Sequence, residues 1–156
     1  MSNGKRPMQL LVSYVYYQSP DQDECEIRNK QTNLAVFLNN AVIPSEDNVR
    51  FVLTFPRDRP PASKISRILG VSSSSKRGKT ITKALGNQLS NVKIVSGVQT
   101  PFVPDLCHHQ DAIRQERARS PEFDYILILN DGTRGPFLRS AQVNNYVGTP
   151  DRFAQV

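Results

Sequence analysis

Residues 124–130 read DYILILN and run directly into DGTRGPF at 131–137. The consecutive apolar residues at 125–129 are typical of a parallel strand that is covered on both faces. The glycines and the proline that follow do not continue a strand. The sequence therefore predicts a central strand whose carboxyl end opens into a loop, and Asp131 is the first residue of that loop.

Strand and helix patterns alternate in the residues upstream. Residues 9–17 (QLLVSYVYY), 49–55 (VRFVLTF) and 92–98 (VKIVSGV) are rich in β-branched and aromatic side chains, which favour strands. A helical pattern at 105–119 begins with Asp105, which is predicted to cap the helix. Another helix is predicted between the first two strands, because apolar residues recur there at helical spacing. Its apolar face comprises Ile27, Leu34, Phe37, Leu38 and Ala41.

This order of elements predicts an α/β fold with an open, mostly parallel, Rossmann-like sheet and right-handed crossovers. With the strand order 3-2-1-4, the order reverses between the first and fourth strands. Ligands of such sheets bind beyond the carboxyl ends of the strands at this point. The stretches 16–19 (YYQS) and 130–134 (NDGTR) would face each other there. We therefore expect the functional site between them.

The net charge of +6 is concentrated in one segment. Residues 57–83 carry a charge of +7 and the rest of the chain carries −1. Because the surrounding composition (RPP, SSSSKRGK) is that of loops, residues 57–91 are predicted to form a basic, partly disordered insert in a single domain, 1–156. This segment is either a solvated surface or a contact for phosphates. It contains no aromatic residue on which bases could stack, so nucleic acid is not the expected main partner.

The two stretches at the reversal point carry the candidate site residues. Asp131 can ligate a divalent metal or hold a ribose hydroxyl, and Arg134 can clamp a phosphate. The alternative for Asn130 and Asp131 is an Asx-type turn that leaves the strand. Tyr16 and Tyr17 are either plain strand residues or a platform on which a nucleobase stacks.

A second cluster of reactive residue types lies at Cys107, His108, His109 and Asp111. Adjacent helical residues point in different directions, so the first three cannot all face one ion. A zinc site or a cysteine nucleophile is therefore disfavoured, and Cys25 is the only other cysteine. Asp111 with one of the histidines either lines the crevice or lies on the ordinary surface.

No apolar run reaches the roughly 18 to 20 residues that span a bilayer, which argues against an integral membrane protein. The N-terminal residues MSNGKRPMQLLVSYVYYQSP lack a small-residue cleavage site, so they predict a strand and not a signal peptide. The default expectation is a protein of the cytoplasm.

The stretch YILILNDGTRGPFL at 125–138 resembles a segment of glycosyltransferase-like proteins with the nucleotide-diphospho-sugar transferase (GT-A) fold. Those proteins are of an uncharacterised fungal and protist type and, more distantly, of a bacterial rhamnan-synthesis type. SYVYYQSP at 13–20 is also similar, as is the helix with Asn33-Leu34 before Phe37-Leu38. The specific part of the resemblance is 130–138.

The resemblance implies a nucleotide-sugar donor, a glycan or other acceptor, and a Mn²⁺ or Mg²⁺ ion at Asp131, with Asp111 on the donor side. No second Asp follows at 133, where that fold carries an Asp-x-Asp motif, and the chain ends soon after the motif. The expectation is therefore an incomplete or inactive transferase. The other expectation is a non-catalytic module that uses residues 57–83 to bind an anionic partner such as RNA.

Overall fold

The structure, a computed structural model, describes residues 6–44, 47–97, 104–120 and 122–132. Four strands and four helices follow one another along these residues. In chain order they are β1 (Leu10–Val15), α1 (Glu24–Asn40), β2 (Val49–Phe55), α2 (Ala62–Ile68), α3 (Lys76–Leu85), β3 (Val92–Ser96), α4 (Asp105–Arg119) and β4 (Tyr125–Asn130).

The four strands form one open sheet in the order β3-β2-β1-β4, and every neighbouring pair is parallel. Leu10 at the start of β1 lies opposite Val49 of β2 and Tyr125 of β4. Helices α1, α2 and α3 cover one face, and α4 covers the other. The predicted α/β class, the parallel Rossmann-like sheet and the strand order are confirmed.

The larger core lies between the sheet and helices α1 to α3. Side chains alternate along β1, so Tyr14 points into this core, where its ring stacks on Phe37 of α1 with centroids 4.4 Å apart. Phe37 in turn meets the edge of Phe51 on β2 at 6.1 Å. The opposite face of the sheet has a smaller core, formed where Leu11 and Val52 pack on α4.

The segment 57–91 is not the loop-like insert that its composition predicted. It contains α2 and α3, which provide the connection from β2 to β3 and pack on the larger core. Ser75 caps α3 by accepting a hydrogen bond from the Gly78 N–H, and any side chain at Gly78 would collide with the Ser72 carbonyl oxygen. The prediction rested on the many charged residues and overlooked the few apolar residues that are buried, which are Ile65, Ile81, Ala84 and Leu85.

Two further expectations are wrong in detail. Strand β4 was expected at the centre of the sheet, but among the described strands it lies at the edge, beside β1 alone. Its apolar run is only partly covered, with Tyr125, Leu127 and Ile128 being 41%, 40% and 46% exposed. In α4, Pro104 occupies the cap position and Asp105 is the first helical residue.

Within the described ranges, no helix is long and apolar enough to cross a membrane.

Candidate functional site

The carboxyl ends of β1 and β4 lie side by side at the point where the strand order reverses. β1 ends at Val15 and β4 at Asn130. The ladder continues for one step, because the Asp131 N–H donates a hydrogen bond to the Val15 carbonyl oxygen (3.1 Å). Residues 16–18 and 130–132 therefore leave the sheet next to each other at its carboxyl end, as the sequence predicted.

Asp131 is a buried carboxylate that joins three elements. Its Oδ2 atom accepts a hydrogen bond from the Tyr17 N–H (2.7 Å) and lies 3.3 Å from Nζ of Lys30 on α1. Lys30 Nζ also donates to the Tyr17 carbonyl oxygen (2.7 Å). Asn33, also on α1, donates to the Asp131 carbonyl oxygen (2.7 Å). Through its side chain and its carbonyl group, Asp131 therefore links the end of β1, helix α1 and the loop after β4.

The electrostatic environment of Asp131 opposes its ionisation. Burial raises the pKa of the carboxyl group, and the Tyr17 N–H and the Lys30 ammonium group offset only part of that effect. The negative charge of Asp105, at the start of α4, raises the pKa further. The charged form of Asp131 is favoured first by the Tyr17 N–H and then by Lys30.

The two tyrosines at the end of β1 have different environments. Tyr16 is buried, and its ring packs against Phe55 with centroids 5.7 Å apart, so it is not available to stack on a nucleobase. Burial raises the pKa of the Tyr16 phenol to about 12. Tyr17 is half-buried, and Lys30 Nζ lies 6.0 Å from the centre of its ring. Stacking on a nucleobase stays a prediction for Tyr17.

The other predicted site residues are Asn130, Asp111 and Arg134. The Asn130 side chain accepts a hydrogen bond from the Gly132 N–H (3.2 Å), which is the Asx-type turn that the sequence offered as the alternative. Asp111 is exposed on α4. Arg134 lies outside the described residues.

The metal that the resemblance implies does not fit the described residues. Among residues 6–44, 47–97, 104–120 and 122–132, no three His, Cys, Asp or Glu side chains are grouped so that they could hold a metal ion. One oxygen of Asp131 is already engaged by Lys30 and by the Tyr17 N–H. In the described part of the site, a lysine ammonium group therefore occupies the place beside the carboxylate where a cation would bind.

The histidines of α4 are buried against the sheet. His109 Nδ1 lies 2.8 Å from Oγ of Ser13 on β1, and burial lowers the pKa of His109. His108 is also buried, and its Nε2 has no hydrogen-bond partner in the part of the chain that the structure describes. The four-residue spacing of His108, Ala112 and Glu116 could have indicated this buried face, which was not predicted.

Glu116 is the most deeply buried acid of α4 and lies at the opposite end of the sheet from Asp131. Its carboxylate is 3.1 Å from Arg50 Nη1, 3.0 Å from Lys93 Nζ and 3.7 Å from Arg119 Nη1. Burial alone would raise its pKa. The hydrogen bonds and charges of Lys93 and Arg50 outweigh burial and hold the pKa below the ordinary value. This cluster joins α4 to β2 and β3 and was not predicted.

Comparisons of the chain with family models, with curated proteins and with solved structures find no match. The described residues therefore define its class by fold alone, as an α/β protein with an open, parallel, Rossmann-like sheet.

Proposed function

We propose that the crevice beyond the carboxyl ends of β1 and β4 binds the nucleoside diphosphate of a sugar donor, and that the protein is a glycosyltransferase or a donor-binding relative of one. One observation carries the proposal. The strand order reverses between these two strands, and the Tyr17 N–H donates a hydrogen bond to Asp131 Oδ2 there (2.7 Å). In open α/β sheets, such reversal points are where nucleotides bind.

The residues of the crevice suit the parts of such a donor. The half-buried ring of Tyr17 offers a face on which a nucleobase can stack. Lys30, which is paired with Asp131, brings an ammonium group to the site, and positive charge stabilises the negative charge that develops on a leaving diphosphate. Because the described residues do not fit a metal, the proposal assigns no step to Mn²⁺ or Mg²⁺, and a metal requirement stays a prediction. The acceptor and the catalytic base have no assignment.

The test is thermal unfolding with UDP, GDP, ADP and CDP, each with and without Mn²⁺. We expect one nucleotide, at about 100 times its Kd, to stabilise the fold by about 2.7 kcal/mol. That corresponds to a rise in Tm of about 5 °C or more for a chain of this size. Replacing Tyr17 by alanine is expected to weaken binding about tenfold through the lost stacking. The variant keeps the main-chain contacts of residue 17 with Asp131 and Lys30.

The matched control is Tyr125→Ala, which removes a part-exposed tyrosine at the other end of the sheet and is expected to leave nucleotide binding unchanged. The donor proposal fails if no nucleotide raises Tm, or if the two tyrosine variants bind it equally well.

A second function, binding of an anionic partner such as RNA, is favoured by the basic surface of α2 and α3. We define this surface by seven exposed cations. In the described part of the chain, none of their side chains has an ion-pair or hydrogen-bond partner. They are Arg59, Lys64, Arg67, Lys76, Arg77, Lys79 and Lys83. Three of them lie in the first turn of α3, where the helix dipole disfavours cations and favours anions.

For this second function we expect a duplex RNA of about 16 base pairs to bind with a log affinity that falls steeply with log salt. Replacing Lys76, Arg77 and Lys79 together by alanine is expected to reduce the slope by about 3. The control triple replacement, Arg28, Arg114 and Arg117 by alanine, changes the net charge equally at other surfaces. Equal losses in the two variants would show attraction by net charge alone and would exclude a specific basic surface.

A further inference from the structure

The outer edge of β4 presents backbone groups of Ile126 and Ile128 that pair with no other strand among the described residues. The N–H groups of Tyr125 and Asp131 point toward β1, where they donate to Gln9 and Val15. Because successive residues of a strand alternate, the N–H and C=O groups of Ile126 and Ile128 point away from β1. In the described structure no further strand lies on this side of β4, so the edge is open for pairing.

A groove of about 460 Å³ runs beside this edge, between β4 and α4. Its apolar lining is provided by Leu106, Ile113 and Ile128, of which Leu106 and Ile128 are 69% and 46% exposed. Burying such side chains stabilises a complex by roughly 25 cal/mol per Å² of apolar surface. The groove therefore suits a ligand with apolar side chains that lies along the strand.

The polar lining of the groove is positively charged. Arg114 and Arg117 lie three residues apart on one side of α4, and both are exposed, with no ion-pair or hydrogen-bond partner among the described residues. Among the residues that the structure describes, no Asp or Glu lines the groove. Charge complementarity therefore favours an occupant with acidic side chains, and two nearby candidates lack them. A second copy of β4 (YILILN) carries no acid, and residues 133–156 carry three arginines and a single acid, Asp151.

We propose that the edge of β4 and this groove bind an extended acidic and apolar peptide segment of a partner protein, which adds to the sheet as a further strand. Its main chain pairs with the outward backbone groups of Ile126 and Ile128. Every second side chain of the added strand points toward α4, and these side chains are both apolar and acidic. The apolar ones pack against Ile113 and Ile128, and the carboxylates pair with Arg114 and Arg117. Addition of a strand to an exposed edge is a recurring mode of peptide recognition, in which pockets for alternate side chains give specificity.

The test uses two fluorescein-labelled peptides of about seven residues, a length typical of one strand. In one peptide, positions 1, 3, 5 and 7, which share one face of a strand, are alternately Val and Glu, and in the other they are alternately Val and Lys, with Thr at positions 2, 4 and 6 of both. Binding to the full chain is measured by fluorescence anisotropy at low salt. We expect saturable binding of the Glu peptide and binding of the Lys peptide that is at least about tenfold weaker, because like charges oppose it.

Two variants separate the side-chain and main-chain contributions. The double variant R114E/R117E is expected to weaken binding of the Glu peptide by at least about tenfold, and R28E, on α1, to leave it unchanged. Ile128→Pro removes an outward N–H that the β1 ladder does not use, and it is expected to abolish binding. Because the proline could also perturb the strand, the exposed arginine variants decide the outcome if Ile128→Pro unfolds.

Four results would overturn the proposal. The first two are equal binding of the two peptides and an unchanged affinity of R114E/R117E for the Glu peptide. The third is a dimer of the free chain, seen by light scattering and broken by the same arginine replacements, which would assign the edge to a second copy. The fourth is slow amide exchange at Ile126 and Ile128 in a free, monomeric chain, which would show that the chain itself covers the edge.

Discussion

Replacing Asp131 by alanine is expected to lower the free energy of unfolding by about 3 kcal/mol, as for other partners removed from buried ion pairs. The replacement leaves the Tyr17 N–H without its acceptor, and it leaves the ammonium group of Lys30, whose side chain is only 16% exposed, without its counter-charge. Urea unfolding at pH 7 measures the change. Asp131→Asn keeps an acceptor for the N–H, so its expected loss is smaller.

The matched control for this prediction is Asp111→Ala. This acid is exposed on α4, so its removal is expected to change the stability by no more than about 0.5 kcal/mol. If Asp131→Ala and Asp111→Ala unfold at the same urea concentration, Asp131 does not hold the two strand ends and α1 together. A structural role for Asp131 also means that loss of nucleotide binding in its alanine variant would not identify a ligand contact, which is why Tyr17 is the better test.

Replacing Glu116 by glutamine is expected to lower the free energy of unfolding at pH 7 by about 2 kcal/mol, because Arg50 and Lys93 lose a buried counter-charge. The loss is also expected to depend on pH. The folded state holds the pKa of Glu116 below its ordinary value of 4.5, so this carboxylate stabilises the fold above that pH. The stabilisation is lost as the pH falls through the lower, folded-state pKa.

Urea unfolding of the wild type and of Glu116→Gln at several pH values from 7 to 3 tests this expectation. The difference between the two proteins should be largest at neutral pH and should shrink as the pH falls below 4.5. Glu122→Gln is the control, since Glu122 forms an exposed ion pair with Arg6, a type worth about 0 to 1 kcal/mol. A difference that stays constant from pH 7 to pH 3 would contradict the role of the charge at Glu116.

The sheet could be predicted from the sequence because its strands are short apolar runs between turn signals. The bounds Val49–Phe55 and Asp105–Arg119 agree with the predicted ones, and Val92–Ser96 ends two residues early. It ends where Gly97 adopts a φ of +67°, a conformation that glycine readily provides. The parallel strand order followed from the alternation of helices and strands.

What surrounds a strand could not be predicted, because periodicity describes one element and not its neighbours. The run at 125–129 was correctly identified as a strand, but its position in the sheet depends on which other strands pair with it. The helices within 57–91 were missed because seven exposed cations dominate the composition, while only a few buried residues, such as Ile65 and Ile81, attach them to the core. Charge density was therefore a poor indicator of disorder here.

The candidate site was predicted in position and only partly in chemistry. Two parallel strands that end at one edge bring Tyr17 and Asp131 together, and this follows from topology. The ion-pair partner of Asp131 could not be predicted from topology, because Lys30 lies about a hundred residues earlier in the chain. The apolar pattern of its helix identified the buried face and gave no information about the polar side chains. Local spacing likewise could not show that Tyr16 turns into the core.

The pairing of β1 with β4 has a consequence for folding during synthesis. β1 leaves the ribosome well before β4, yet Leu10 pairs with Tyr125, so one of its two edges lacks this pairing until β4 has been made. In the meantime β1, β2 and β3 can assemble with α1 to α3 around the larger core, leaving Leu11 and Ser13 without the cover of α4. Contacts of such long sequence separation slow folding. The late arrival of α4 and β4 is therefore the step at which a nascent chain would be most open to mispairing or to a chaperone.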